Sequence, residues 1–200
     1  MKIDLQVDPM KLRDDDFLKC LMSVFYELSK EKTIKNLCLH EAAHLYFLDQ
    51  ICKIVGSDIS KLEFVGPTIS YNEVFLIDGK GQYEYCLAAV RAPFFEGPGI
   101  QYTEEIQSLF ALAAVAGGVF LRELQGEGHG GDDQDKRQFL KHYLKATNEQ
   151  GLRPPDFDEM LQTARQRVSA MLKTDPLFES KVRRRADDLE IKYFSNNSVY

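Results

Sequence analysis

Residues 34–55 combine a long apolar run with two histidines four positions apart, and few folds accommodate that combination. The stretch reads Leu37-Cys38-Leu39, His40-Glu41-Ala42-Ala43-His44, Leu45-Tyr46-Phe47-Leu48. Side chains at i and i+4 share one face of a helix, so both imidazoles leave it in the same direction. The apolar flanks put this helix inside the protein. A buried polar group left without a partner costs roughly 2–7 kcal/mol, so the pair needs a polar reason to be there. Two readings meet that need: core histidines hydrogen-bonded to neighbours, or a pair converging on one metal ion. The chain has four histidines and two of them form this pair, which favours the metal.

The intervening glutamate sharpens the reading. Glu41 projects from the adjoining side of the helix, where it can take a proton from a water at the metal. His40-Glu41-Ala42-Ala43-His44 is therefore an HExxH arrangement, the pattern of zinc peptidases. Zn²⁺ is the expected cofactor, although two histidines with a carboxylate also suit Fe²⁺ or Mn²⁺.

Two hundred residues are enough for a full hydrophobic core in one domain. The net charge of −6 argues against general nucleic-acid binding. Four cysteines (Cys20, Cys38, Cys52, Cys86) are widely spaced without a CxxC pair, and they read as reduced thiols, mostly buried. The N-terminal MKIDLQVDPMKLRDDDF has no apolar stretch of signal-peptide length. The most apolar run, Leu109 to Leu121, falls short of the roughly 20 residues of a membrane span. The expectation is a cytoplasmic protein with no membrane span.

Periodicity predicts a mainly α fold with a small β-sheet (α+β). Asp14 to Ser29 has Phe17, Leu18, Leu21, Val24, Phe25 and Leu28 at helical spacing. Thr33 is the expected cap of a helix over Ile34 to Val55, stopped by Gly56. Strands are expected over Leu62 to Val65, Ile69 to Ile77 and Gln82 to Val90, with a turn at Gly79-Lys80-Gly81 and a loop over Ala92 to Gly99. Thr103 starts a small-residue helix to Leu124, whose Ala113 to Gly118 face lets a neighbour pack close. Gly126 to Asp135 is a glycine-rich acidic loop. A helix carrying Phe139, Leu140, Tyr143 and Leu144 follows, then one from Asp156 to Leu172, then a last one opened by Asp175-Pro176. Residues 1–150 are expected to form the core and 151–200 a helical extension packed on it.

A catalytic zinc site takes three protein ligands and keeps a fourth position open. The metzincin pattern fails, because Phe47 and Gln50 stand where a glycine and a third histidine are needed. Glu63 and Glu73 fall in expected strands, which suits a thermolysin-like ligand poorly. The acidic loop offers Asp132, Asp133 and Asp135. Asp135 is nearest the inner face set by Phe139 and Tyr143 and, as the last acid of the loop that carries the resemblance given below, is the first choice. Asp133 is the alternative and Asp132 the third. These acids also read as an ordinary helix start that favours the macrodipole. His129 reads as a loop residue.

Together these stretches resemble the peptidase domain of the FtsH/paraplegin family of zinc metalloproteases. The resemblance rests on Leu39 to His44, on Ala116-Gly117-Gly118-Val119-Phe120-Leu121 and on Gly131-Asp132-Asp133-Gln134-Asp135, with closing helices from Ala164 to Leu172 and Val182 to Leu189. It implies a zincin-like peptidase domain with His40, His44 and Asp135 as zinc ligands, Glu41 as general base, a polypeptide substrate and a homo-oligomer. An edge of Ile69–Ile77 or Gln82–Val90 is the expected holder of an extended substrate. Two departures stand out. Ala43 replaces the usual glycine, and Leu121 stands where the family has a glutamate, whose role is expected to be either lost or moved to Glu123. No GxxxxGK[ST] loop occurs, so the expected activity is ATP-independent. The alternatives are an inactive peptidase-like module that binds metal or a partner protein, and a helical regulator docking through Phe94-Phe95 and Arg183-Arg184-Arg185. The arginine run also reads as a solvated face paired with Asp187, Asp188 and Glu190.

Overall fold

The computed structural model describes residues 14–77, 80–91, 103–126, 135–137, 139–140 and 157–194, with residues 59, 70–77, 80–82 and 84 described by their backbone alone. The fold is mostly helical with small antiparallel sheets. Helices α1 (Asp15–Leu28) and α2 (Glu31–Ile54) come first. Strands β1 (Glu63–Val65), β2 (Thr68–Ile77), β3 (Lys80–Cys86) and β4 (Ala89–Arg91) follow, then α3 (Glu104–Gln125), α4 (Phe157–Thr174) and α5 (Pro176–Tyr193).

Helix α2 is the central element. Cys38, Leu39, Ala42, Ala43, Phe47, Leu48, Ile51 and Cys52 are all buried, together with His40, Glu41 and His44. On one flank it meets α3, which is buried without interruption from Phe110 to Leu121. On another it meets α5, through Phe178, Val182, Ala186 and Leu189. Helix α4 backs α3 with Leu161, Ala164 and Val168. An aromatic cluster ties these layers together. Phe178 lies 5.7 Å from Phe47, 5.2 Å from Phe120 and 4.7 Å from Tyr46, centroid to centroid. Such edge-on pairs add about 0.5–1.5 kcal/mol beyond the area they bury.

Among the described helix starts, those of α1, α3 and α5 follow side-chain chemistry and that of α2 does not. Asp14 caps α1, accepting from the amides of Asp16 and Phe17. Thr103 caps α3, and Asp175 caps α5 with Pro176 in its first turn. Gly126 closes α3 in the left-handed conformation at φ +68°, where a side chain would be strained. Helix α2, however, starts at Glu31 and not at Ile34. Lys30 holds the extended cap position without a side-chain capping bond, its ammonium pairing with Glu27, and the Thr33 hydroxyl donates to Glu27 instead of capping. The chain is already helical at Glu31, whose charge favours the positive end of the helix.

The predicted strand over Gln82 to Val90 is two strands. The chain bends at Leu87 and Ala88 is buried, with the Cys86 thiol donating to the Ala88 carbonyl. Strand β3 pairs with β2, and β4 pairs with β1, through Glu63–Arg91, Phe64–Val90 and Val65–Ala89. Tyr83 of β3 anchors α1, with its ring on Phe17 and its hydroxyl donating to Asp14. Helix α3 is longer than its most apolar run implied, and by length and composition it could cross a membrane. It serves here as a core helix, with 72% of that apolar window buried in the protein. All four cysteines are free thiols; Cys20, Cys38 and Cys52 are buried and Cys86 partly so. The 92–99 loop and its Phe94-Phe95 lie outside the described residues, as do His129, His142, Tyr143, Leu144 and Asp156.

Candidate metal centre

Helices α2 and α3 run antiparallel at their contact. His40 packs over Gly117 and His44 over Ala113, so a step of four up one helix matches a step of four down the other. His44 directs its Nδ1–H into the Ala113 carbonyl. A carbonyl can only accept, so the Nδ1 of His44 carries a hydrogen. The opposite nitrogen, Nε2, then points away from α3.

What Nε2 meets is Asp135, the first described residue after Gly126, in helical conformation. One carboxylate oxygen of Asp135, Oδ2, lies 3.1 Å from Nε2 of His40 and 3.2 Å from Nε2 of His44. The His44 approach is close but out of line, so that buried Nε2 has no hydrogen-bond partner. The two rings stand edge to face, 4.6 Å between centroids. Among the described residues this is the group of three whose ligand atoms all lie within 4.8 Å of one another.

The donor chemistry fits a cation. In a neutral His44 the free Nε2 and the carboxylate oxygen are both acceptors, and two acceptors do not sit 3.2 Å apart without positive charge nearby. A proton on each Nε2 would satisfy the two contacts to Asp135, and a metal ion would satisfy all three atoms at once. Nitrogen and oxygen ligands about 2.0–2.2 Å from a tetrahedral metal lie roughly 3.3 Å from one another, close to the 3.1 and 3.2 Å that separate the two imidazole nitrogens from Asp135. The cluster His40, His44 and Asp135 could hold a metal ion.

Electrostatics follow from burial. His40, Glu41 and His44 are 6%, 4% and 7% exposed, while the Asp135 side chain is 27% exposed. Burial opposes a charge on His44, but the Asp135 carboxylate outweighs it and lifts the imidazole to about 10. Burial likewise pushes Asp135 upward, and the two histidines overcome it, holding the carboxyl well below its usual range. Glu41 differs. Burial raises its pKa and the neighbouring His44 and His40 pull it back only in part; the Val90 backbone amide lies against it. Cys86, near both Glu41 and Asp135, is pushed up to about 12, chiefly by burial.

Other expectations change. Glu123 does not enter the site; it is exposed, accepts from Ser169 at 2.7 Å and lies 3.8 Å from Lys173. Leu121 is fully buried in the core. Glu63 is exposed at the start of β1, and the Glu73 side chain, Asp132 and Asp133 lie outside the described residues. The arginine run is not uniformly solvated. Arg183 pairs with Glu179, one turn back, while Arg185 reaches across to α2, donating to the Leu45 carbonyl at 2.9 Å and lying 3.6 Å from Asp49. Three contributors escaped the sequence reading: the Ala113 carbonyl, the bare Cα of Gly117 and the Val90 amide. Only Gly117 left a trace, as a glycine inside a helix-forming run.

Comparison with protein-family models, with curated proteins and with solved structures finds no match for this chain.

Proposed function

We propose that the protein is a zinc-dependent peptidase of zincin-like architecture, similar to the FtsH/paraplegin peptidase domain, with His40, His44 and Asp135 as ligands and Glu41 as general base. One observation carries the reading: two Nε2 atoms and a carboxylate oxygen converge at metal-ligand spacing beside a buried glutamate. When bound, zinc supplies Lewis acidity, polarising a peptide carbonyl and easing ionisation of water.

The residues of the chain do the rest. The Ala113 carbonyl fixes the tautomer of His44 and leaves Nε2 free for the metal. Asp135 brings negative charge against the two imidazoles. The raised pKa of Glu41 suits a group that must accept a proton from water and return it to a leaving amine near neutral pH. Val90 supports a peptide substrate. Its backbone amide lies against Glu41, and among the described residues β4 pairs only with β1, so its other edge is where an extended chain could add as a strand.

Glu41→Gln tests the assignment. Peptide hydrolysis should fall at least about 10²-fold with zinc content and thermal stability unchanged. Equal turnover by the variant would remove Glu41 from the chemistry.

A second reading has its own observation. His40, Glu41 and His44 are almost fully enclosed and the glutamate expected from the family is missing. A closed site suits a structural metal clamp in a binding module. Zinc-loaded wild type that hydrolyses neither casein nor a panel of unstructured peptides would favour this alternative.

A further inference from the structure

We propose that one turn of α3, from Ala113 to Gly117, is the seat that fixes both imidazoles, and that Gly117 is the positioning residue for His40. The inference rests on the metal reading above for its functional meaning, but its geometry does not need the metal. A Cβ on residue 117 would lie 2.5 Å from Cε1 and Nδ1 of His40 and 2.6 Å from its Cγ. These atoms belong to the rigid ring itself, so no flexible chain end can swing aside. The ring is also confined, with His44 edge-on at 4.6 Å and Asp135 at 3.1 Å from Nε2.

Backbone conformation does not explain this glycine. Positive φ occurs at Gly56 and Gly126, whereas Gly117 lies inside a regular helix. There a glycine is less favourable than alanine, so its presence needs a packing reason. The reason is room for the imidazole. The same turn supplies the other half of the seat. In an α-helix the Ala113 carbonyl is the acceptor for the residue-117 amide, and here it also accepts from His44. Both ligand histidines are thus referenced to a single backbone hydrogen bond of α3, at matched spacings of four residues on each helix.

The test is a double-mutant cycle of Gly117→Ala and His40→Ala, read two ways. In metal-free protein, Gly117→Ala should lower Tm when His40 is present. It should raise Tm in the His40→Ala background, where the space is open and alanine favours the helix. With Zn²⁺ as probe and a competing chelator, Gly117→Ala alone should weaken binding about 100-fold, approaching the loss from His40→Ala. Far-ultraviolet circular dichroism confirms that each variant folds. If Gly117→Ala leaves zinc affinity unchanged, or if its Tm effect is the same with and without His40, the seat is refuted. If wild type binds no zinc at all, the metal reading falls, and the metal-free Tm cycle alone decides for or against the seat.

Discussion

The two flanks of α2 are built on opposite terms. Towards α5 the helix presents Phe47 and Tyr46 to Phe178, with Arg185 clamped onto the Leu45 carbonyl and Asp49. Towards α3 it presents His40 and His44 to Ala113 and Gly117, small residues that contribute little apolar area. One flank supplies cohesion by burying large rings. The other spends close approach on orienting polar atoms. The contrast shows how one helix can carry chemistry at its centre: the donors need not stabilise the fold, because the opposite face does.

The largest perturbation should come from the packed flank. Phe178→Ala removes a fully buried ring from the aromatic cluster and should cost about 3–5 kcal/mol in urea unfolding, taking metal binding with it. Next comes the donor flank. Zinc at about 100 times its Kd should stabilise the native state by about 2.7 kcal/mol. That increment should vanish in His44→Ala and on chelation by EDTA. If zinc shifts the Tm of His44→Ala as much as that of wild type, the donor flank is not where the metal acts. Arg185→Ala should cost about 1 kcal/mol, since the side chain is a third exposed and solvent screens the Asp49 pair. Arg185→Lys should recover only part of this, because an ammonium lacks the planar fork that serves two acceptors. Smallest is Thr103→Ala, about 1 kcal/mol or less at the α3 cap, with zinc affinity unchanged.

Legibility in the sequence tracked distance along the chain. The convergence of His40 and His44 is a property of one helix, so spacing alone revealed it. Asp135 stands out from Asp132 and Asp133 by its spacing from Gly131 in the resembled loop and by its phase relative to Phe139, and the structure sets it against both rings. Phe139 is buried, as that phase required. The break between β3 and β4 was hidden, because Gln82 to Val90 has no glycine or proline to mark the bend at Leu87. The Ala113 carbonyl and the Val90 amide are main-chain atoms, and no residue type advertises them. Arg185 looked like its neighbours in a basic run. Only the packing of α5 on α2 separates it from Arg183.

Asp135 stands 95 residues from His40 in the chain. Contacts of such separation are entropically late to form, and they belong to the slow part of folding. Before they close, α2 by itself offers an incoming metal two nitrogens. The third donor arrives when the segment beyond α3 docks. Under the metal reading, the same separation would make the centre a sensor of completed assembly: a full set of ligands would exist only once α2 and the Asp135 segment have come together.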